Sequence, residues 1–322
     1  MKKKTSLYAA VILLIFLCSG CITLHLGKRL PQDKLKESVV EGKGWNKILI
    51  IDITGLISDV PARTPYAPPV TLLQDVKEKL KKAEKDRRIK GVILRINSPG
   101  GTVTASDTIF EEIRRFKKEK KVPVVAQMID TAASGGYYVS VSADRIIAQP
   151  TSITGSIGVI LQKFNLHELL DKIGIANTPV KSGALKDIGS PFRPQTEEEK
   201  RILQETIDAL YNRFVDTVAE NRKELSREAV LALADGRIYT ADEALKKHLI
   251  DRIGYMEDAI EEVKEMAGLE KAKVVLYRLP YTYKENIYSA MPPAPVTEIH
   301  LLSLTQPLPW TASPFLYLWD PR

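Results

Sequence analysis

Gly91-Val92-Ile93-Leu94-Arg95-Ile96-Asn97-Ser98-Pro99-Gly100-Gly101-Thr102 decides the architecture. Its first seven residues form a near-continuous apolar run, as expected of a strand covered on both faces. The run stops at the turn Ser98-Pro99-Gly100-Gly101, and a helix is expected from about Ala105 to Lys118. Upstream, Lys47 to Ile53 reads as another buried strand ending at Gly55. Four prolines within residues 61–70 mark a loop, after which a helix from about Thr71 to Asp86 carries Leu72, Leu73, Val76 and Leu80 on one face. Downstream, Pro123 to Ile129 repeats the pattern, with a small-residue turn and a helix beginning near Ser134; Arg145 to Ala148 is a fourth strand. Apolar strands alternating with helices call for a parallel sheet covered by helices. The fold class is α/β.

The second half turns helical. Thr196 with Glu199 three places on has capping-box spacing, and Ile202, Ile207, Leu210, Phe214 and Val218 recur at helical spacing to about Arg222. Shorter helices are expected over Arg227–Ala234, Ala241–Lys247 and Glu257–Met266. The last stretch, 277–322, is rich in proline and aromatics (Tyr281, Tyr283, Tyr288, Trp310, Phe315, Tyr317, Trp319), which suits an irregular arm packed on the body or on a neighbour better than a disordered tail. The expected divisions are 1–21 as an address or anchor, 22–46 as a polar stalk, 47–268 as the main domain and 269–322 as a C-terminal arm.

Composition narrows the classes. With 322 residues, 44% hydrophobic and 27% charged, the chain can bury a large core. Of the net charge of +7, Lys2, Lys3 and Lys4 supply three, and the rest is spread among 40 acidic residues; this excludes a nucleic-acid surface. Both cysteines, Cys18 and Cys21, lie in the N-terminal apolar run, so the body has no disulfide and no cysteine-based zinc cage. The three lysines followed by the apolar stretch Leu7 to Leu17 describe an export signal. Two readings stand. Ser19-Gly20-Cys21 resembles a bacterial lipobox, with Cys18 where a leucine is usual, which would make Cys21 the lipidated N-terminus. Alternatively, an uncleaved anchor helix runs from about Leu7 to Leu26. Either way the body is tethered to a membrane on its extracytoplasmic side. A redox or metal role for Cys18 and Cys21 is disfavoured by the apolar setting and the lack of further ligands.

The turn after the third strand, Asp130-Thr131-Ala132-Ala133-Ser134-Gly135-Gly136-Tyr137-Tyr138, puts a serine at a helix start, where amides favour developing negative charge and glycines admit a substrate backbone. Alone, Ser134 also reads as an ordinary N-cap. The second glycine turn changes the balance, because both turns leave parallel strands at the same sheet edge, where ligands bind. An amide from Gly101, or from Gly100, could then join that of Gly135 around one oxygen. None of His25, His167, His248 and His300 sits in a setting that suits a base, and no Gly-x-Ser-x-Gly turn exists. A lysine in a desolvated site can deprotonate serine. Lys186 lies among small residues in Lys181-Ser182-Gly183-Ala184-Leu185-Lys186-Asp187, but spacing alone does not prefer it to Lys181 or Lys172.

Asn97-Ser98-Pro99-Gly100-Gly101, Ala133-Ser134-Gly135-Gly136-Tyr137-Tyr138, Thr154-Gly155-Ser156-Ile157-Gly158-Val159 and Lys181-Ser182-Gly183 with Lys186-Asp187 together resemble the signal peptide peptidase A family, peptidase family S49, in its short form. Asp235-Gly236-Arg237-Ile238-Tyr239-Thr240, His248-Leu249-Ile250-Asp251 and Gly254 are similar as well, so the resemblance runs from about Lys47 to Gly268. It implies a Clp-protease/crotonase-like fold of repeated β-β-α units with a helical C-terminal part. It also implies a serine endopeptidase working through a Ser-Lys dyad and an acyl-enzyme. Matched residue by residue, Ser134 is the nucleophile, Lys186 the general base and Ser156 the residue that orients the lysine. Gly101 and Gly135 match the oxyanion donors. The implied substrates are remnant signal peptides and other apolar peptides, and the implied assembly is a homo-oligomer whose adjacent subunits share each site. No cofactor, metal or nucleotide is implied. Three rivals share the fold or the dyad. An acyl-CoA enzyme needs CoA, which a tethered extracytoplasmic body does not meet. A silent peptide-binding scaffold would not need the serine–lysine pair. The stomatin-cleaving membrane proteases commonly have a long C-terminal membrane region that is missing here.

Overall fold

The computed structural model describes residues 35–60, 70–278 and 315–319. The chain begins with β1 (Lys36–Gly42) and β2 (Lys47–Thr54), followed by α1 (Leu72–Lys85), β3 (Ile89–Ser98), β4 (Gly100–Thr102) and α2 (Val103–Lys120). Then come β5 (Val124–Ala133), α3 (Gly135–Ser140), β6 (Arg145–Ala148), β7 (Ile153–Gly155), β8 (Ile160–Leu161) and α4 (His167–Lys172). The remainder is α5 (Glu197–Asn221), α6 (Arg227–Leu233), β9 (Ile238–Thr240), α7 (Ala241–Lys246), β10 (Arg252–Ile253), α8 (Met256–Ala267), β11 (Lys273–Arg278) and β12 (Phe315–Leu318). Capping explains several starts: Thr71 with Gln74 opens α1, and Thr196 with Glu199 opens α5, each through a reciprocal capping box.

The main sheet runs β1-β11-β2-β3-β5-β6-β10, with every pair from β11 to β10 parallel and β1 antiparallel at the edge. Successive side chains of a strand face opposite sides, and β2 feeds two cores accordingly. Leu49, Ile51 and Ile53 meet Val76 and Leu80 of α1 and Ile109, Ile113 and Phe116 of α2. Ile48 and Ile50 face the other way, onto Ile260 and Val263 of α8. Each such side chain contributes about 1.5–3 kcal/mol by leaving water. This two-sided burial is why the strands read as unbroken apolar runs. The one charge in β3's buried stretch is matched across the register, where Arg95 Nε donates to Asp52 Oδ1 at 2.6 Å.

Four expectations are corrected. The stalk does not extend to residue 46: Lys36–Gly42 is the edge strand, paired with β11, and its largely exposed side chains leave no apolar pattern to read. The folded body does not end at residue 268, because Lys273–Arg278 enters the main sheet between β1 and β2 with Val274 to Tyr277 buried. The small-residue turn at 130–133 is instead the end of β5, which continues beside β7. Within the aromatic arm, which was expected to be irregular, Phe315–Leu318 forms β12, the middle strand of a second sheet β4-β12-β8. The signal or anchor, Cys21 and residues 61–69 lie outside the described residues, among which no helix is long and apolar enough to cross a membrane.

Candidate active site

The sheet brings four strand ends to one edge. β5 ends at Ala133, and Ser134 turns the chain into α3 with φ 52° and ψ −115°. A positive φ is uncommon for a residue with a side chain and costs on the order of 1–3 kcal/mol. The conformation is held from both sides: Ser134 N–H donates to the Gly155 carbonyl at 2.7 Å, and Tyr138 N–H donates to the Ser134 carbonyl at 2.8 Å. Below it, Tyr137 Oη donates to the Leu249 carbonyl at 2.9 Å and Tyr138 Oη to Asp107 Oδ1 at 2.6 Å. Burial pushes both phenols well above the ordinary tyrosine range, with the Asp107 hydrogen bond adding to the effect at Tyr138, so both stay donors. Ser134 itself is buried, and its Oγ has no hydrogen-bond partner among the described residues.

The second glycine turn lies against this serine. Ser98 Oγ donates to the Gly55 carbonyl at 2.6 Å and accepts the Gly100 amide at 3.1 Å, which fixes the turn between β3 and β4. Gly100 has φ 105°, and a Cβ there would collide with the Tyr317 carbonyl oxygen and stand 2.7 Å from the Gly135 nitrogen. Gly101 is equally constrained, because a Cβ would run into the Ile57 backbone. A Cβ built on Gly135 would lie 3.1 Å from the Gly101 nitrogen. The amides of Gly101 and Gly135 are therefore neighbours beside Ser134. Ser156 follows β7, whose Gly155 is paired with Ala133; it has φ 50° and donates its N–H to the Arg237 carbonyl at 2.7 Å.

Lys186 makes no hydrogen bond with this cluster's serine hydroxyl. It sits exposed in a segment between α4 and α5. Its two competitors separate here. Lys181 is engaged, with Nζ 2.8 Å from Asp187 Oδ1, whereas Lys172 lies exposed at the end of α4. Asp187 also takes Arg193 Nη2 at 2.7 Å, and Arg193 reaches on to Glu199 through Nη1 at 2.9 Å and through Nη2. These partners hold the Asp187 carboxyl well below the usual range and lower that of Glu199 to about 2, Arg193 being the leading cause at both. The clasp fixes the segment that carries Lys186. His167 faces Asp171 at 3.5 Å and His248 faces Glu224 at 2.6 Å, and neither hydrogen-bonds Ser134 Oγ. His25 and His300 lie outside the described residues.

Sequence reasoning missed the neighbour on the open side. β12 pairs antiparallel with β4, Tyr317 opposite Gly101, and with β8, Leu316 opposite Ile160. The apolar run Phe315-Leu316-Tyr317-Leu318 was a readable strand signal, but nothing in it said where the strand would dock.

The model of peptidase family S49 matches residues 116–270, and that of the Clp protease family matches residues 70–155. A protein of Enterococcus faecium named as a signal peptide peptidase SppA is 40% identical over 243 residues, which are 76% of this chain and 70% of that one. The chain belongs to peptidase family S49. As an S49 member it is a serine peptidase with a Clp-protease-type α/β body. Other S49-type relatives are much longer: the chloroplastic serine protease SPPA of Arabidopsis thaliana is 34% identical over 77% of this chain but only 37% of its own length. Protease 4 of Haemophilus influenzae is 35% identical over 69% of this chain and 35% of that protein. Among solved structures, the membrane-bound stomatin-specific protease 1510-N aligns with a TM-score of 0.46 and 15% identity, over 68% of this chain and 86% of that chain.

Proposed function

We propose that this S49 peptidase cleaves peptides by a Ser-Lys dyad, with Ser134 as nucleophile and Lys186 as general base. The observation that carries this reading is the buried, unpartnered Ser134 Oγ on a strained strand-to-helix turn beside the Gly101 and Gly135 amides. Ser134 Oγ attacks the scissile carbonyl carbon while the Lys186 amine takes its proton. The two glycine amides receive the developing oxyanion, each donor worth roughly 3–4 kcal/mol in such enzymes. The carbon–nitrogen bond then breaks, Lys186 returns the proton to the leaving amine, and water hydrolyses the ester to free Ser134. Ser156, at the end of the neighbouring strand, orients the lysine.

Because an exposed Lys186 makes no hydrogen bond to the buried Ser134 hydroxyl within the chain, the proposal takes the lysine of each site from an adjacent subunit of a homo-oligomer. The exposed apolar residues Phe164, Leu169, Ile173, Ile175 and Val180, around a helix α4 that buries nothing, support that arrangement. The substrates are remnant signal peptides and other apolar peptides, met by a body tethered outside the cytoplasm through a lipidated Cys21 or an anchor helix. The test is an activity-based serine probe with peptide mapping on wild type, Ser134→Ala and Lys186→Ala, with a heat-unfolded control. One adduct on the Ser134 peptide, lost in both variants, is expected. Labelling that survives Lys186→Ala would move the base to Lys172 or Lys181, and folded wild type that takes no probe of any size would sink the reading.

A further inference from the structure

The segment that carries Lys186 is held by charge rather than by a core. No residue from 158 to 198 is buried, so apolar packing within the chain does not fix this stretch. The first buried residue after it is Glu199, 1% exposed, in the first turn of α5. Its carboxylate is seated by the capping box, with Oε2 accepting the Thr196 N–H at 2.9 Å. A buried carboxylate needs a paired cation. Arg193 supplies it, through Nη1 at 2.9 Å and through Nη2.

The other edge of the same guanidinium takes the Lys186 turn. Arg193 Nε donates to Asp187 Oδ2 at 2.9 Å, and Nη2 donates to Asp187 Oδ1 at 2.7 Å and to the Asp187 carbonyl at 3.3 Å. Such a fork fixes orientation as well as distance. Asp187 is the residue next to Lys186, in a turn closed by the Lys186 N–H on the Gly183 carbonyl at 3.1 Å. Lys181 Nζ braces the same turn, reaching Asp187 Oδ1 at 2.8 Å and the Ala184 carbonyl at 3.3 Å. The exposed Lys186 side chain takes no part in these bonds. An amine left free on an immobilised turn suits a base that must reach a site beyond its own neighbours.

Resting on the Ser-Lys reading above, we infer that Arg193 is a positioning residue for the reaction: it ties the turn that presents Lys186 to the buried start of α5, and Lys181 works inside this clasp rather than as the base.

The test is steady-state cleavage of an Ala-Ala-Leu-aminomethylcoumarin peptide by the full chain as wild type, Arg193→Ala, Arg193→Lys, Lys181→Gln and Lys186→Ala. Light scattering follows assembly, and each variant is assayed below its own melting temperature, which Arg193→Ala lowers by unpairing Glu199. Arg193→Ala should keep the wild-type mass and a KM within about twofold, because the clasp touches no substrate, and lose kcat about 100-fold, as a base displaced by about 1 Å would. Millimolar guanidinium chloride, against sodium chloride at equal ionic strength, should restore part of that kcat by refilling the gap between the two carboxylates. Arg193→Lys, a point charge without the fork, should lose about 10-fold. Lys181→Gln, which keeps a donor, should lose no more than about 5-fold; a loss as deep as that of Lys186→Ala would make Lys181 a base and overturn its place in the clasp. Full kcat in Arg193→Ala beside a dead Lys186→Ala would overturn this inference and leave the dyad standing. A kcat lost together with a changed mass, and not rescued by guanidinium, would reduce Arg193 to a structural tie and overturn it as well. An active Lys186→Ala would overturn the dyad, and this inference with it. Where Arg193→Ala fails to fold, the kcat of Arg193→Lys and its KM decide by the same criteria.

Discussion

Ser134 carries two unfavourable features at once: a left-handed backbone and a buried hydroxyl without a partner. A buried polar group left unpaired costs on the order of 1–3 kcal/mol. Ser134→Ala removes that cost while keeping the backbone strain. The expected outcome is complete loss of turnover with unchanged or higher stability, up to about 1 kcal/mol in a denaturant titration. A clear loss of stability would mean that the hydroxyl supports the fold. Gly101→Ala goes the other way, because the new Cβ meets the fixed Ile57 backbone rather than a yielding side chain. Turnover should be lost and stability lowered by roughly 2 kcal/mol or more, read in the same titration. Ser134 stood out as a candidate because two glycine turns on adjacent parallel strands announce a shared sheet edge. Lys186 was not singled out by spacing, since Lys172 and Lys181 lie in equally exposed stretches of the same region.

Most helices and central strands could be read because the periodicity follows burial: β2 and β3 are apolar throughout as both faces are covered, and α1 and α5 carry their caps in sequence. β1 was illegible because an edge strand keeps polar side chains, and β12 because docking, not pattern, defines it. The clasp Lys181–Asp187–Arg193–Glu199 was also invisible, since each residue alone looks like a solvated charge. Its pH behaviour follows from direction. Asp187 and Glu199 both titrate below their ordinary values in the folded chain, so the clasp stabilises fully above about pH 4.5 and is lost as pH falls toward about 2. Thermal melts from pH 7 to 2.5 should show stability falling across that window, with a shallower fall in Glu199→Gln. Equal slopes would exclude the clasp as a source of acid sensitivity.

At the scale of the molecule, the proposal is that one chain holds an incomplete site. If adjacent subunits share it, inactive Ser134→Ala and inactive Lys186→Ala, dissociated, mixed in equal amounts and reassembled, should regain about a quarter of wild-type activity, since random neighbours combine one intact serine with one intact lysine that often. A mixture as dead as its parents would place both residues in one protomer. The sheet order has a different consequence, for how the chain is made. β1's partner, β11, is synthesised about 230 residues later and slots between β1 and β2. Until Lys273 emerges, β2 keeps an open edge and the first strand waits unpaired. Such long-range closure folds slowly. Closure of the sheet therefore waits on synthesis, and β2 keeps its open edge until nearly all of the described body has been made.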